Sequence, residues 1–215
     1  MAQPDKITIY TKKEEKINVI SHLFGLILSI FALPILVYKA SQHQDSLYLI
    51  SSVIYGLGLI TLYAASTLYH NEKNIKRRAK LNIFDHASIF VLIAATYTPF
   101  LCITLHGFIG WLLFIIVWSI AIIGIVLKLF FTGKYEYLST TMYVIMGWII
   151  VGAIKPLIEN LSTNGIFWLV AGGIFYTIGA FIFSLKKIKM NHAIFHFFVL
   201  LGSISHFIAI YFYVL

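Results

Sequence analysis

Seven apolar stretches, each about 20 residues long, alternate with short polar connections along the chain; that is the length at which a helix crosses a bilayer core. Their expected limits are 18–38, 47–69, 82–104, 108–130, 137–155, 165–185 and 192–214. Residues 1–17 are polar and are expected to form a cytoplasmic N-terminal segment ahead of one membrane domain covering 18–215. Short connections place consecutive helices side by side. The pattern therefore predicts an all-α membrane protein, a seven-transmembrane helix bundle. Pro34 and Pro99 fall inside spans and are expected to kink them. Gly172, Gly173 and Gly179 in the sixth span permit close helix packing.

Composition sharpens this picture. Of 215 residues, 60% are apolar and 11% charged, against about 25% charged in a soluble domain. The N-terminal segment carries Asp5, Lys6, Lys12, Lys13, Glu14, Glu15 and Lys16, the reverse of an apolar signal core, so no cleavable signal is expected. Cys102 is the single cysteine, which excludes an internal disulfide and a thiolate zinc cluster. The net charge of +8 does not indicate nucleic acid. Its carriers sit in loops between spans, where they set topology and meet anionic lipid head groups, so membrane lipids are the expected partners.

Loop charges give the orientation. Lys6, Lys12, Lys13 and Lys16 precede span 1, and Lys73, Lys76, Arg77, Arg78 and Lys80 follow span 2. Lys128 and Lys134 follow span 4, and Lys186, Lys187 and Lys189 follow span 6. Only Lys39 and Lys155 lie on the other side. The bias toward cytoplasmic lysine and arginine puts the N-terminus in the cytoplasm and, after seven crossings, the C-terminus outside.

That topology gathers polar residues at one membrane depth. Span 7 opens with His192 and His196, four apart and hence on one helical face. Span 2 ends in Ser66 and His70, and span 3 opens with Asn82 and Asp85. Ionisable groups inside spans are costly and mark function. His70, His192 and His196 supply three imidazole ligands and leave a fourth position for water, the open arrangement of a catalytic zinc site. Asp85, expected in the first turn of its helix, is placed as general base. Ser66, one turn from His70, is placed to bond the water or a developing oxyanion. Glu15, Asn18 and His22 either support this site from behind or cap the start of span 1. His206, roughly 21 Å along the helix from His192, is too deep to share the ion. It lines a polar cavity or packs as a satisfied core histidine. His86 is expected in solvent or loop contact, and His43 and His106 in outer loops. The competing reading makes all these residues polar caps of helix ends.

Glu15-x2-Asn18-x3-His22, Ser66-x3-His70, Asn82-x2-Asp85 and His192-x3-His196, in this order at these span ends, resemble the bacterial hemolysin III family. That family lies within the progestin and adipoQ receptor group, which is related to alkaline ceramidases. The resemblance covers the chain from about Glu15 to Leu215. It implies a cytoplasm-facing zinc site in a multi-pass protein of the bacterial inner membrane, with His70, His192 and His196 as ligands. It also implies hydrolysis of a lipid amide such as ceramide. Rival expectations are a lipid or membrane-state sensor or receptor with structural zinc, and a pore-forming cytolysin. The last requires a continuous polar path, whereas the polar residues cluster at one face. Assembly into a homo-oligomer is left open by the sequence, and zinc is preferred only as far as imidazole ligands prefer it.

Overall fold

The computed structural model describes residues 10–131 and 136–215. Asp5, Lys6, Lys134 and the start of the expected N-terminal segment lie outside the described residues. Seven helical spans follow one another as expected. They are α1 (Lys12–Ala40), α2 (Ser46–Asn71), α3 (Ile75–Pro99), α4 (Gly107–Phe131), α5 (Glu136–Gly147) continued by α6 (Ile154–Asn160), α7 (Thr163–Ser184) and α8 (Asn191–Tyr213). No strand occurs among the described residues.

Two helices begin earlier than hydropathy suggests, because capping rather than apolarity sets their starts. Thr11 caps α1, its hydroxyl accepting from the Glu14 amide at 3.2 Å. The first turn of α1 thus contains Glu14 and Glu15, where acidic side chains suit the helix dipole. Asn74 caps α3, accepting from the amides of Lys76 and Arg77. Asp85 consequently lies in the third turn of α3 and not the first, so the dipole argument for it fails. α1 runs on through Pro34. Pro99 closes the regular part of α3, which ends in a wider π turn over Phe100–Thr104.

Span 5 is broken in mid-membrane. α5 stops at Gly147, and a 3-10 turn (Ile149–Ala153) joins it to α6. Freed backbone groups at this depth must be satisfied inside the protein. Tyr97 does this with one hydroxyl, donating to the Gly147 carbonyl at 2.9 Å and accepting from the Ile150 amide at 3.1 Å. Trp148 Nε1 donates to Thr177 Oγ1 at 2.9 Å and ties the break to α7.

The core between helices includes Leu36, Tyr55, Tyr63, Phe90, Leu101 and Met146, each at most 1% exposed. Outward faces are apolar as well: Phe31, Phe108 and Phe130 are largely exposed, as lipid-facing side chains should be. Ser203 of α8 joins three helices through its hydroxyl, with Tyr63 of α2 and Tyr176 of α7 each at 2.8 Å. The C-terminal end of α8 is tied to the end of α1: Lys39 bonds the Tyr211 carbonyl, and the exposed His43 bonds the Leu215 carbonyl at 2.8 Å while stacking on Tyr48.

Candidate metal centre

At the end of the bundle where α1, α3 and α8 begin and α2 ends, three buried histidines converge. His70 comes from the last turn of α2; His192 and His196 come from the first two turns of α8. One ring nitrogen from each lies within 4.8 Å of the others, a geometry able to hold one metal ion. His70 Nε2 and His192 Nε2 face each other at 3.1 Å. Two imidazole nitrogens bound to one tetrahedral zinc stand about 3.3 Å apart, so the spacing fits.

The other ring nitrogens are engaged from outside the cluster. His70 Nδ1 donates to Glu15 Oε2 at 2.7 Å. The second Glu15 oxygen takes the guanidinium of Arg78, which lies 4.8 Å over the Tyr69 ring. His192 Nδ1 meets the Tyr10 hydroxyl at 3.0 Å. The carboxylate makes His70 Nδ1 a donor, so His70 Nε2 carries a lone pair. At 3.1 Å from it, His192 Nε2 either donates to that lone pair or shares a cation with it. His196 Nδ1 is buried and has no hydrogen-bond partner among the described residues. With one ring nitrogen of His196 in the same group, the three imidazoles form a donor set that suits a metal.

Thr11 fills the helix cap, so Glu15, Asn18 and His22 are not caps, and each lies against one of the histidines. Glu15 holds His70. Asn18, fully buried, places its amide 3.4 Å from His70 Nδ1. His22 stacks on His196, ring centroids 3.5 Å apart and planes 17° from parallel, with both its nitrogens buried and unpartnered among the described residues. Ser66 Oγ is likewise buried without a partner, and Asp85 is buried on the wall of the same cavity. Asp85 is outside the group of converging ligand atoms. His86 corrects its expectation: half-buried, it lines the cavity and bonds the Asn82 carbonyl through Nδ1 at 2.8 Å. Its offset of about 100° from Asp85 turns it along the wall and not into solvent. His106 is exposed as expected.

From the histidines a cavity runs between the helices, with an empty volume of about 1240 Å3 that includes space open to its surroundings. Its wall on α8 is a single stripe, His192, Phe195, His196, Val199 and His206, the spacing of one helical face. A matching stripe on α3 starts at Asp85 and continues through Ile89, Leu92 and Thr96. The lining is polar at the histidine end and mostly apolar beyond it. Buried Lys128 also lines it.

Three contributors were not singled out by the sequence pattern. Arg78 reads as one more topology charge. Its signal is periodicity: Arg78, Asn82 and Asp85 are spaced i, i+4, i+7 and share one buried face of α3. Glu14 lies against the backbone amides of His192 and Ala193, docking α1 on the first turn of α8. Tyr10 carries no sequence signal.

A profile of the Haemolysin-III related family matches residues 10–207. The chain is 47% identical over 213 residues to Hemolysin-3 of Bacillus cereus, covering 98% of this chain and 97% of that one. It is 44% identical over 205 residues to the Hemolysin-3 homolog of Bacillus subtilis (strain 168), covering 95% and 96%. The Monocyte to macrophage differentiation factor of Homo sapiens is 28% identical over 212 residues, covering 93% of this chain and 84% of that one. Together with seven membrane-length helices, these matches establish that the chain is a multi-pass membrane protein and belongs to the haemolysin-III related family.

Proposed function

We propose that this protein is a zinc-dependent hydrolase of lipid amides, with its site at the cytoplasmic face of the bacterial inner membrane. The observation that carries the reading is the junction of two features: three buried imidazole nitrogens within 4.8 Å of one another, and a largely apolar cavity that starts at His192 and His196 and runs between helices. A ligand set alone would suit a structural ion; a ligand set at the head of a largely apolar cavity suits chemistry on a lipid. The cytoplasmic placement rests on the basic residues that share this end of the bundle.

His70, His192 and His196 would hold the ion. Zinc in such a site supplies a Lewis acid for a carbonyl and makes hydroxide available near neutral pH. The protein's part is positioning and proton transfer. The apolar walls on α3, α7 and α8 hold the acyl chain and exclude water. Asp85 takes the proton of the attacking water and returns it to the leaving amine. Ser66, whose hydroxyl has no partner among the described residues, donates to the oxygen on which charge develops. Glu15 fixes the tautomer and orientation of His70, and Tyr10 does the same for His192.

The test is metal content per chain of the detergent-purified protein, with ceramide hydrolysis measured on the same sample. One zinc per chain, lost in His192→Ala, together with turnover, supports the proposal. No metal in carefully handled wild type removes it. One observation favours a second reading: the ligands bridge α2 and α8, so an ion would cross-link the bundle of a lipid or membrane-state sensor. Zinc-dependent thermal stability without turnover on any lipid amide would select that reading.

A further inference from the structure

α8 begins without a side-chain cap of its own: its N-cap residue, Met190, makes no cap bond. The amides that such a cap serves are those of the second and third helical positions, here His192 and Ala193. Glu14 of α1 takes that place from outside the helix, its buried carboxylate lying against both amides. Four residues earlier, the Tyr10 hydroxyl meets His192 Nδ1 at 3.0 Å. The Tyr10 ring centroid is 4.6 Å from that of His192 and 6.0 Å from that of His70. Glu15 accepts from His70 Nδ1 at 2.7 Å. The short run Tyr10–Glu15 thus holds the backbone of α8 and lies against two of the three histidines, while Thr11, Lys12 and Lys13 on its other side are exposed.

All three histidines are buried, so an ion reaches them either along the cavity or by displacement of a neighbouring segment. The cavity is the poorer route. Beyond the histidine end its walls include Ile89, Leu92, Ile93 and Val199, and an apolar wall offers an ion nothing in place of its hydration. The run Tyr10–Glu15 is the better candidate to move, because the end of a helix is where local opening costs least. Tyr10 and Glu14 tie it to the first turn of α8, and both ties bear on His192.

We propose that Tyr10–Glu15 is a clasp over the histidine cluster, and that a divalent cation enters and leaves the site from the end of the bundle each time this clasp lifts. The site then has two separate approaches, an aqueous one for the ion and the cavity for a lipid. This rests on the reading of the histidines as a metal site, and it does not require hydrolysis.

The test measures zinc loading and zinc release separately, with a fluorescent zinc indicator and excess chelator, on the purified full-length protein in nanodiscs. A clasp changes both rates together, whereas a group that only strengthens a ligand changes release alone. Tyr10→Phe loses the hydroxyl and keeps the ring. Tyr10→Ala loses the cover as well, so it loads and releases zinc about fivefold faster than Tyr10→Phe, at the same Kd. Glu14→Ala, which touches no ligand nitrogen, exchanges zinc about tenfold faster than wild type in both directions, and Glu14→Gln, which can still accept from the amides, falls between. Loading no faster in Tyr10→Ala than in Tyr10→Phe, or no faster in Glu14→Ala than in wild type, overturns the proposal, whatever release does. Wild type that binds one zinc per chain and shows these unchanged rates counts against the clasp alone; wild type that binds none removes the metal reading and the clasp with it.

Discussion

Glu15 Oε2 accepts a 2.7 Å hydrogen bond from His70 Nδ1 while Arg78 holds the other carboxylate oxygen. One side chain of α1 thereby sets the ring orientation of a residue on α2 and is itself set by a residue on α3. A carboxylate behind an imidazole fixes its tautomer and strengthens it as a ligand, and removing such a partner costs metal affinity.

Glu15→Gln therefore lowers metal affinity about 10- to 100-fold while leaving all three ligands in place. Arg78→Leu lowers it less, because the carboxylate remains but loses its anchor. Competitive chelator titration of the purified variants measures both. Unchanged affinity in Glu15→Gln would mean that the carboxylate serves only to hold α1 against the bundle.

Much of this was legible in the sequence, and the rest was hidden for physical reasons. Seven spans follow from hydropathy because a bilayer demands both length and apolarity. His70, His192 and His196 are findable because four-residue spacing and shared depth are one-dimensional signals. The early start of α3 is not, since its first turns are basic and hydropathy cannot see a helix that extends past the apolar core. The break after Gly147 depends on the Tyr97 hydroxyl, a contact across 50 positions. Tyr10 meets His192 across 182 positions, a pairing that no local periodicity encodes.

Tyr97→Phe removes the one hydroxyl that satisfies both the Gly147 carbonyl and the Ile150 amide. Each buried backbone group left unpaired costs about 1–3 kcal/mol. The variant should unfold at clearly lower temperature in detergent. Its metal stoichiometry should be unchanged, because the histidine cluster lies at the end of the bundle. A wild-type melting temperature would show that water fills the gap.

Orientation has a direct readout, because Cys102 is buried at 8% exposure and gives little background labelling. A cysteine at Lys187, in the basic loop before α8, is expected to react with an impermeant maleimide in inverted membrane vesicles and not in intact cells. Labelling in intact cells would turn the histidine end outward and end the cytoplasmic assignment.

On the proposed mechanism, Asp85 separates catalysis from metal binding. It shares the cavity wall with His192 and His196 but lies outside the converging ring nitrogens, so the proposal gives it proton transfer and leaves an ion to the histidines. Asp85→Asn keeps size and polarity and removes the base. It should retain metal at wild-type stoichiometry and lose about 10²- to 10⁴-fold in turnover, the usual worth of a positioned general base. Ser66→Ala should lose about 10²- to 10³-fold if its hydroxyl donates to the developing oxyanion. Loss of metal in Asp85→Asn would make the carboxylate a ligand; retained turnover would move the base elsewhere, with His22, stacked on His196 and lacking any partner among the described residues, the next group to test.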